Sequence, residues 1–495
     1  MAQEKSEMIK KQIKTIIALL IAVIILVGAY FIIKPLIAEK EEETMTVDKD
    51  GDTLGIGGRP YIYDVIPADR VQSIYVKNSY GEYRFNMDPI AKDFVLEGRE
   101  TLTFDKEKLS YLYVNTCNML AMTKVEDANT DTAEYGLPNG KSDTFFTVTE
   151  HDGTQHTVYI GSLLPTGAAY YCKSADKPHI YVIDTMIESC VLASPAVYIT
   201  PLIAPPIAQE KRYNIETIKL IRGGELFLEL QKSEEESSAD DGTAISHVMT
   251  YPGGYSASQL VTDSILAKLV SFVGSSVAEH EIPVEGMEEV LTKYGLINPT
   301  AELIYTLEGK EYRILFGSKT EDGSAYYVLN LSQQTVCTVA VADVPFMEYD
   351  LIRFIDDYIF QMDINNVKSI KVTTKQHSEE FELSGEKADL VVTRKSNGEV
   401  VDTRNFRQFY IDVLLVNLED YADAPAEPNE ILSYVIETRS GKKHEYRFYD
   451  LSTRKVFFTV GGVGQFYANR DTVEKVISNF DKLLKGEEII SEALA

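Results

Sequence analysis

Apolar and polar residues alternate along three stretches of the chain, and a glycine interrupts each alternation once. Alternation with a period of two is typical of a β-strand, and a central glycine beside a polar residue predicts a tight turn. The three stretches are TVTEHDGTQHTVYIG (147–161), LIYTLEGKEYRILFG (303–317) and YVIETRSGKKHEYRFY (434–449). We therefore predict three β-hairpins that turn at Gly153, Gly309 and Gly441.

A second pattern, with apolar residues three and four apart, precedes each predicted hairpin. This spacing places the apolar side chains on one face of a helix, so it predicts an amphipathic helix with one buried stripe. The stripes are Leu109, Leu112, Tyr113, Cys117 and Leu120; Ile265, Leu266, Leu269, Val270 and Val273; and Phe406, Phe409, Tyr410, Val413 and Leu414. Still earlier, a strand pattern begins at residues 71, 215 and 367, at intervals of 144 and 152 residues. The chain therefore contains three copies of one unit.

Two short motifs recur in the first two copies. Residues 161–171 and 317–327 both fit G-S-x-x-x-x-G-x-A-Y-Y, and EYGL at 134–137 corresponds to KYGL at 293–296. Glycine with serine or threonine is typical of a turn between strands, so we interpret the longer motif as part of a repeated fold rather than as a ligand loop.

The third copy departs from these motifs. DYAD at 420–423 takes the place of YGL, and Phe457-Phe458-Thr459 takes the place of Ala-Tyr-Tyr. Each copy ends in a strand that runs into an aspartate, at Asp184, Asp343 and Asp471, which suits the N-cap of a following helix. We therefore expect the third copy to keep the fold and to have diverged in its surface.

The predicted fold class is α+β, with helices packed on antiparallel sheets. Each copy should follow the order β-β-β-α-β-β-β-β-α. The predicted segments are a cytoplasmic tail (1–14), a transmembrane anchor (15–34), a linker (35–60), repeat 1 (61–205), repeat 2 (206–360) and the diverged repeat 3 (361–495).

The N-terminus predicts a single membrane span. Residues 15–33 contain no charged side chain and are long enough to cross a bilayer as a helix. Lys10, Lys11 and Lys14 precede the apolar run, which predicts a cytoplasmic N-terminus and an extracytoplasmic remainder. A cleaved signal peptide is the competing interpretation, but its apolar region should be shorter and should end in a small-x-small site. We favour an uncleaved anchor, and whether it is ever cleaved stays open.

The charge of the chain argues against one class of partner, and its cysteine spacing argues against two kinds of site. The chain has 76 acidic and 48 basic residues, a net charge of −28, which argues against binding to nucleic acid. The four cysteines, Cys117, Cys172, Cys190 and Cys337, form no C-x-x-C pair, so a zinc ribbon or thioredoxin-type site is not expected. We predict buried free thiols, although the sequence leaves the disulfide state open.

No pattern along the chain predicts a catalytic, cofactor or metal site. His151 and His156 flank the first hairpin turn and are expected to be surface residues. Residues 174–177 and 452–455 fit S-x-x-K, but both lie between predicted strands, where serine and lysine would not share a helix turn. We therefore expect no cofactor and no enzymatic activity.

The combined features resemble the bacterial family known as domain of unknown function 4340. The resemblance lies in EYGL at 134–137, YIGSLLPTGAAYYCK at 159–173 and IYVID at 180–184, behind a single N-terminal anchor, and it recurs in repeat 2. It implies a cell-surface accessory protein, similar to proteins found beside ABC-type transport systems related to gliding-motility components. It brings no catalytic residues.

We therefore expect a non-enzymatic, membrane-anchored interaction protein whose partner is a membrane protein, such as an ABC-type permease. The alternatives are an anchored cell-envelope hydrolase and a protein that binds a small, sugar-like ligand. The candidate contact residues are Tyr170, Tyr171, Tyr326 and Tyr327. Because neighbouring residues of a strand point to opposite faces, only one tyrosine of each pair should enter the core. The identities of partner and ligand and the oligomeric state stay open.

Overall fold

The computed structural model describes residues 46–90, 92–125, 132–233, 246–282 and 285–490. The predicted cytoplasmic tail, the predicted anchor and residues 35–45 of the predicted linker lie outside this described part. Among the described residues, no helix is both long and apolar enough to cross a membrane. The chain forms two compact units, of which the first ends at Tyr198 and the second begins at Ile199.

Repeat 1 forms one sheet and one helix in the N-terminal unit. Its elements are β1 (Val71–Asn78), β2 (Gly81–Asp88), β3 (Asp93–Leu96), α1 (Lys106–Cys117), β4 (Thr123–Lys124), β5 (Phe145–Glu150), β6 (Gln155–Leu163), β7 (Ala169–Ser174) and β8 (Tyr181–Asp184).

Repeats 2 and 3 together form the C-terminal unit. Repeat 2 contains β9 (Ile215–Arg222), β10 (Glu225–Lys232), β11 (His247–Tyr251), α2 (Gln259–Val270), β12 (Ser276–Glu279), α3 (Met287–Lys293), β13 (Ala301–Leu307), β14 (Lys310–Lys319), β15 (Ala325–Asn330) and β16 (Thr335–Ala340). Repeat 3 contains β17 (Val367–Thr374), β18 (Ser378–Ser384), β19 (Val391–Arg394), β20 (Val400–Val401), α4 (Thr403–Leu414), β21 (Leu418–Tyr421), β22 (Glu430–Thr438), β23 (Lys443–Asp450), β24 (Lys455–Val460), β25 (Val463–Asn469) and α5 (Arg470–Lys485).

The three sheets share one strand order. The first sheet runs β3-β2-β1-β5-β6-β7-β8-β4, and the second runs β11-β10-β9-β13-β14-β15-β16-β12. The third runs β20-β19-β18-β17-β22-β23-β24-β25-β21, which is the same order with β20 added at one edge. Neighbouring strands are antiparallel throughout, for example β1 with β5 and β17 with β22. The prediction of three antiparallel α+β sheets is confirmed.

The three predicted helices, α1, α2 and α4, pack most of their apolar stripes against one face of their own sheet. Leu109, Leu112 and Cys117 of α1 are buried among strand residues such as Phe146 and Val158. Leu120 and Val273 lie beyond the ends of α1 and α2, because these helices end at Cys117 and Val270. We call the sheet face covered by α1 or α2 the inner face, and the opposite one the outer face.

Repeats 2 and 3 share one continuous core, so the predicted boundary near residue 360 does not separate two cores. The Tyr255 side chain of repeat 2 packs its ring against Phe458 and Phe466 of repeat 3, at centroid distances of 6.3 and 5.4 Å. Its hydroxyl donates to the carbonyl of Val463 at 3.3 Å.

The ends of the repeats differ from the predicted order in two ways. A short strand, β4, β12 or β21, follows α1, α2 or α4 and joins the far edge of the sheet; neither these strands nor α3 of repeat 2 was predicted. In repeats 1 and 2 the last strand leads into short 3₁₀ turns, Thr185–Ser189 and Val341–Asp343, and an α-helix follows only in repeat 3.

The predicted aspartate caps are correct at one position of three. Asp184 accepts a hydrogen bond from the Met186 amide at 2.9 Å. Asp343 lies inside its 3₁₀ turn and is not a cap. Asn469 caps α5 by accepting from the Asp471 amide, so Asp471 stands in the first turn, where its charge favours the positive end of the helix.

Candidate functional site

In repeats 1 and 2 the YGL motif lies against the strand that carries the Gly-Ser pair. A Cβ atom added to Gly161 would stand 2.2 Å from the carbonyl oxygen of Tyr135, and one added to Gly317 would stand 2.1 Å from the carbonyl oxygen of Tyr294. No side chain fits at such distances, so glycine is required here because two backbones touch. In repeat 2, the Ser318 amide donates to the same Tyr294 oxygen at 2.9 Å.

The glycine of the YGL motif in turn lies against the serine of the Gly-Ser pair on that strand. A Cβ on Gly136 would stand 2.2 Å from Ser162 Oγ, and one on Gly295 would stand 2.8 Å from the Ser318 amide nitrogen. Both glycines also have positive φ, 72° and 69°. The two motifs therefore form one interlocked structure, which we call the YGL module.

The first tyrosine of each pair faces the inner side of its sheet. Tyr326 is 7 % exposed, packs edge-on against Phe316 and donates its hydroxyl to Glu348 Oε1 at 3.0 Å. Tyr170 is half-buried and donates to Glu188 Oε1 at 2.7 Å. The bond to Glu188 raises the pKa of Tyr170, and burial raises that of Tyr326. Both tyrosines thus tie the sheet to the segment that follows its last paired strand.

The second tyrosine faces the outer side and packs on the tyrosine of the YGL motif. The Tyr171 ring lies 4.9 Å from the Tyr135 ring, and the Tyr327 ring lies 4.7 Å from the Tyr294 ring. Tyr327 belongs to a small cluster with Leu296 and residues of α3. Both tyrosines of each pair therefore have a structural role, one on each face, as the alternation predicts. Whether the partly exposed Tyr171 and Tyr327 also contact a partner stays a prediction.

Repeat 3 contains no YGL module. A shorter connection and larger side chains take its place. The connections from the short edge strand to the next strand are residues 125–144 and 280–300 in repeats 1 and 2, but only 422–429 in repeat 3. DYAD is therefore not the counterpart of YGL, because Tyr421 belongs to the edge strand β21. Tyr449 occupies the position of Gly161 and Gly317.

The strand register also corrects the match to Ala-Tyr-Tyr in repeat 3. Ile160 pairs with Cys172 in repeat 1, and its counterpart Phe448 pairs with Phe458. Val456 and Phe457 therefore take the places of the two tyrosines, a shift of two residues caused by a shorter β23–β24 connection. Phe457 is only 3 % exposed and lies 6.3 Å from the Tyr449 ring. A side chain thus fills space that a loop fills in the other repeats.

A second cluster, which the sequence did not predict, lies in the N-terminal unit. The Lys124 ammonium stands 2.6 Å from Asp48 Oδ2, 3.0 Å from Asp50 Oδ2 and 2.6 Å from Asp52 Oδ2. Lys177 Nζ stands 2.6 Å from Asp52 Oδ1, and the hydroxyl of the buried Tyr181 donates to Asp52 Oδ2 at 2.8 Å. We call these six residues the aspartate clasp.

Hydrogen bonds fix the charges of the clasp. Burial alone would raise the pKa of Asp48, but hydrogen bonds from Lys124 and from the Asp52 and Asp50 amides lower it to about 2. Burial likewise opposes ionisation of Asp52, and the bonds from Lys124, Lys177 and Tyr181 still lower its pKa. Burial also acts to lower the pKa of Lys124, and the three aspartates raise it. Asp48, Asp52 and Lys124 are therefore charged at neutral pH.

The predicted linker ends earlier than residue 60, because the clasp folds part of it onto the N-terminal unit. Residues 46–60 form bridges between Val47 and Thr53 and between Leu54 and Pro60. The only sequence signal was the alternation of aspartates in DKDGD at 48–52. Lys124 lies too far along the chain for a local pattern to pair it with them.

The remaining sequence candidates have structural contacts. Ser174 is 1 % exposed and Lys177 belongs to the clasp, which accounts for one S-x-x-K match. His156 is not a free surface residue, since its Nε2 lies 2.9 Å from Glu150 Oε1. All four cysteines are free and buried, as predicted. Within the described part of the chain, no three His, Cys, Asp or Glu side chains are grouped to hold a metal ion.

An open cleft of about 540 Å³ lies beside the β14–β15 turn of repeat 2. Hydroxyl and carboxylate groups line it, including those of Ser276, Asp322, Ser324 and Thr338. These groups bond one another, with Ser276 Oγ 2.7 Å from Thr338 Oγ1 and Ser324 Oγ 2.8 Å from Asp322 Oδ1. The polar groups of the cleft are therefore engaged in hydrogen bonds within the protein.

Three sheets of one strand order, two of them with the same interlocked module, define a tandem-repeat α+β protein. The chain belongs to the family described as Domain of unknown function (DUF4340), which matches residues 95–284 and 248–433. The two matches begin in β3 and in β11, the equivalent third strands of repeats 1 and 2. No curated protein and no solved structure matches the chain.

Proposed function

We propose that the protein is a non-enzymatic, membrane-anchored scaffold that presents its repeats outside the cell membrane to a membrane-protein partner. The partner we propose is the permease of an ABC-type transport system. The uncharged run at 15–33, with Lys10, Lys11 and Lys14 before it, supports the anchor and its orientation.

The observation that supports the proposal is that the three repeats share one strand order but differ in their exposed side chains. The YGL module uses its glycines, serines and inner tyrosines to hold the fold in repeats 1 and 2. The turn inside the same motif differs between the two repeats. Repeat 1 presents Leu163, which is 43 % exposed, where repeat 2 presents the exposed Lys319. A shared frame that carries different exposed side chains suits binding.

The end of β6 together with the β6–β7 turn, residues 162–168, is the part of repeat 1 that we propose as the contact. It reads SLLPTGA, against SKTEDGS in repeat 2, so it is apolar where its counterpart is charged. An exposed apolar turn is typical of a surface that a partner covers. Met186, which is 50 % exposed, follows β8 at the same end of the sheet and is a second exposed apolar side chain there.

Capture of the full-length chain from detergent-solubilised membranes of its own cells tests the proposal. Wild type should retain a permease subunit, identified by mass spectrometry, and Leu163→Glu should lose most of it. Leu331→Glu is the matched control, because Leu331 is also an exposed leucine, at 58 %, on a turn of repeat 2. Equal capture by all three proteins would contradict the contact at Leu163, and capture of no membrane protein would contradict the proposed partner class.

A further inference from the structure

The described part of the segment between the proposed anchor and the first buried core residue is held on the N-terminal unit mainly by the aspartate clasp. We call residues 46–61 the strap. It folds back on itself, with the Leu54 amide donating to the Thr46 carbonyl and the Tyr61 amide donating to the Thr53 carbonyl, both at 2.8 Å. It then joins the core at Ile62, which is fully buried.

Apolar burial contributes little to holding the strap in place. Val47 and Ile56 are 60 % and 87 % exposed. Only Asp52 and Pro60 are buried within the strap. A buried carboxylate is stable only when paired, and Asp52 is paired with Lys124 of the edge strand β4, with Lys177 and with Tyr181. The clasp is therefore the main attachment of the strap.

The other contacts of the strap lie mostly at its C-terminal end, where the Pro60 carbonyl accepts from the Ala121 amide at 2.9 Å. Thr53 Oγ1 donates to Asp64 at 2.9 Å, and Arg59 Nε donates to the Ala121 carbonyl at 2.9 Å. Tyr61 forms a single bridge with Leu120. None of these compensates for a buried carboxylate left without its lysine.

We propose that the strap is a spacer locked by the aspartate clasp, and that it sets how far the N-terminal unit can stand from the membrane. With the strap closed, residues 35–45 connect the proposed anchor to the strap, and eleven residues span at most about 40 Å. With the clasp broken and residues 59–61 still bonded to Leu120 and Ala121, the connection becomes residues 35–58 and spans up to about 85 Å. The consequence for distance rests on the proposed anchor, whereas the clasp itself does not.

Hydrogen exchange of the full-length chain in detergent tests the lock. Lys124→Met leaves three aspartates facing one another, and Asp52→Asn keeps the shape of the side chain but removes its charge. In both variants we expect peptides of the strap to exchange at least about tenfold faster, while peptides of β5–β7 stay as in wild type. Lys211→Met, which breaks an exposed 2.7 Å pair with Glu308 in repeat 2, should change neither.

Energy transfer in proteoliposomes tests the spacing. A donor dye on Ser110→Cys, an exposed position of α1, reports the distance to acceptor lipids, and the native thiols stay unlabelled because they are buried. Transfer should be lower in Lys124→Met than in wild type or Lys211→Met.

The outcomes separate the two claims. An unchanged exchange rate of the strap in both clasp variants, or an equal rise in β5–β7, would overturn the lock. Faster exchange with unchanged energy transfer would overturn the role in spacing. A chain that fails to float with the vesicles would overturn the anchor and the spacing together, and the exchange data would still decide whether the clasp is the lock.

Discussion

The structure makes a sharp prediction about Gly317, where the YGL module of repeat 2 leaves no room for a side chain. In Gly317→Ala the new Cβ would lie 2.1 Å from the Tyr294 carbonyl oxygen and 3.1 Å from the Leu296 side chain. The obstacle is mainly backbone, so the YGL segment must move away by about 1 Å, because packed interiors do not compress. This movement breaks the bonds from the Ser318 amide and from Ser318 Oγ to Tyr294, at 2.9 and 3.1 Å.

The expected loss of stability follows from these contacts. Each hydrogen bond contributes about 0.5–1.5 kcal/mol, and overpacking of a close contact costs about 1–3 kcal/mol. We therefore expect Gly317→Ala to lower the free energy of unfolding of the C-terminal unit by about 2–6 kcal/mol. The matched control is Gly254→Ala, whose Cβ would have an ordinary contact of 3.6 Å with Val460. Gly254 does not have a positive φ, so this change should be nearly neutral.

Urea unfolding followed by tyrosine emission measures the loss, since the chain contains no tryptophan to dominate the signal. Hydrogen exchange shows where stability is lost, and we expect the fastest increase at residues 287–296. Equal stability of Gly317→Ala and Gly254→Ala would refute the reasoning, because the YGL segment would then not be held against the strand.

Two further predictions concern the tyrosines and the thiols. Tyr326→Ala should lower the free energy of unfolding by about 3–5 kcal/mol, as for other buried aromatic residues. Tyr327 is half-buried on the outer face, so Tyr327→Ala should lower it by about 1–2 kcal/mol. Equal losses in urea unfolding would show that the two faces are equally buried. Burial raises the pKa of Cys117 to about 12 and those of Cys190 and Cys337 to about 11, above the ordinary thiol value of 9.0. The native chain should therefore not react with a thiol reagent at pH 8. In denaturant, all four thiols should react. Because these folded pKa values are raised, the stability contributed by the neutral thiols is complete below pH 9 and is lost as the pH rises through 11–12, and a melting temperature that stays constant over this window would argue against their burial.

The sequence predicts the parts of this fold that depend on local periodicity. The three hairpins and the three helices follow from spacings of two, three and four residues, and the structure confirms them together with most of each buried stripe. The edge strands β4, β12 and β21 are two to four residues long. That length is too short for alternation to be visible, so these strands could not be predicted from the pattern.

Contacts between distant segments explain the other differences. Gly317 must be glycine because the Tyr294 backbone, which belongs to a loop, lies against it. Neither residue type alone predicts this contact. In repeat 3, one shorter connection shifts the register by two residues, so counting from the turn glycine matched Phe457 to the wrong position. Lys124 and Asp52 are brought together only by the folded sheet. Sequence motifs therefore located the repeat but not the contacts that made the motifs necessary.

Protease treatment of intact cells tests most directly the claim that the repeats stand outside the membrane on an N-terminal anchor. With the outer layers of the envelope made permeable and the membrane sealed, added protease should digest the chain beyond residue 45 and leave a short membrane-bound fragment containing residues 15–33. The same digestion after the membrane is lysed should give no additional loss. A full-length chain that resists protease until the membrane is opened would contradict the orientation, and with it the scaffold that we propose.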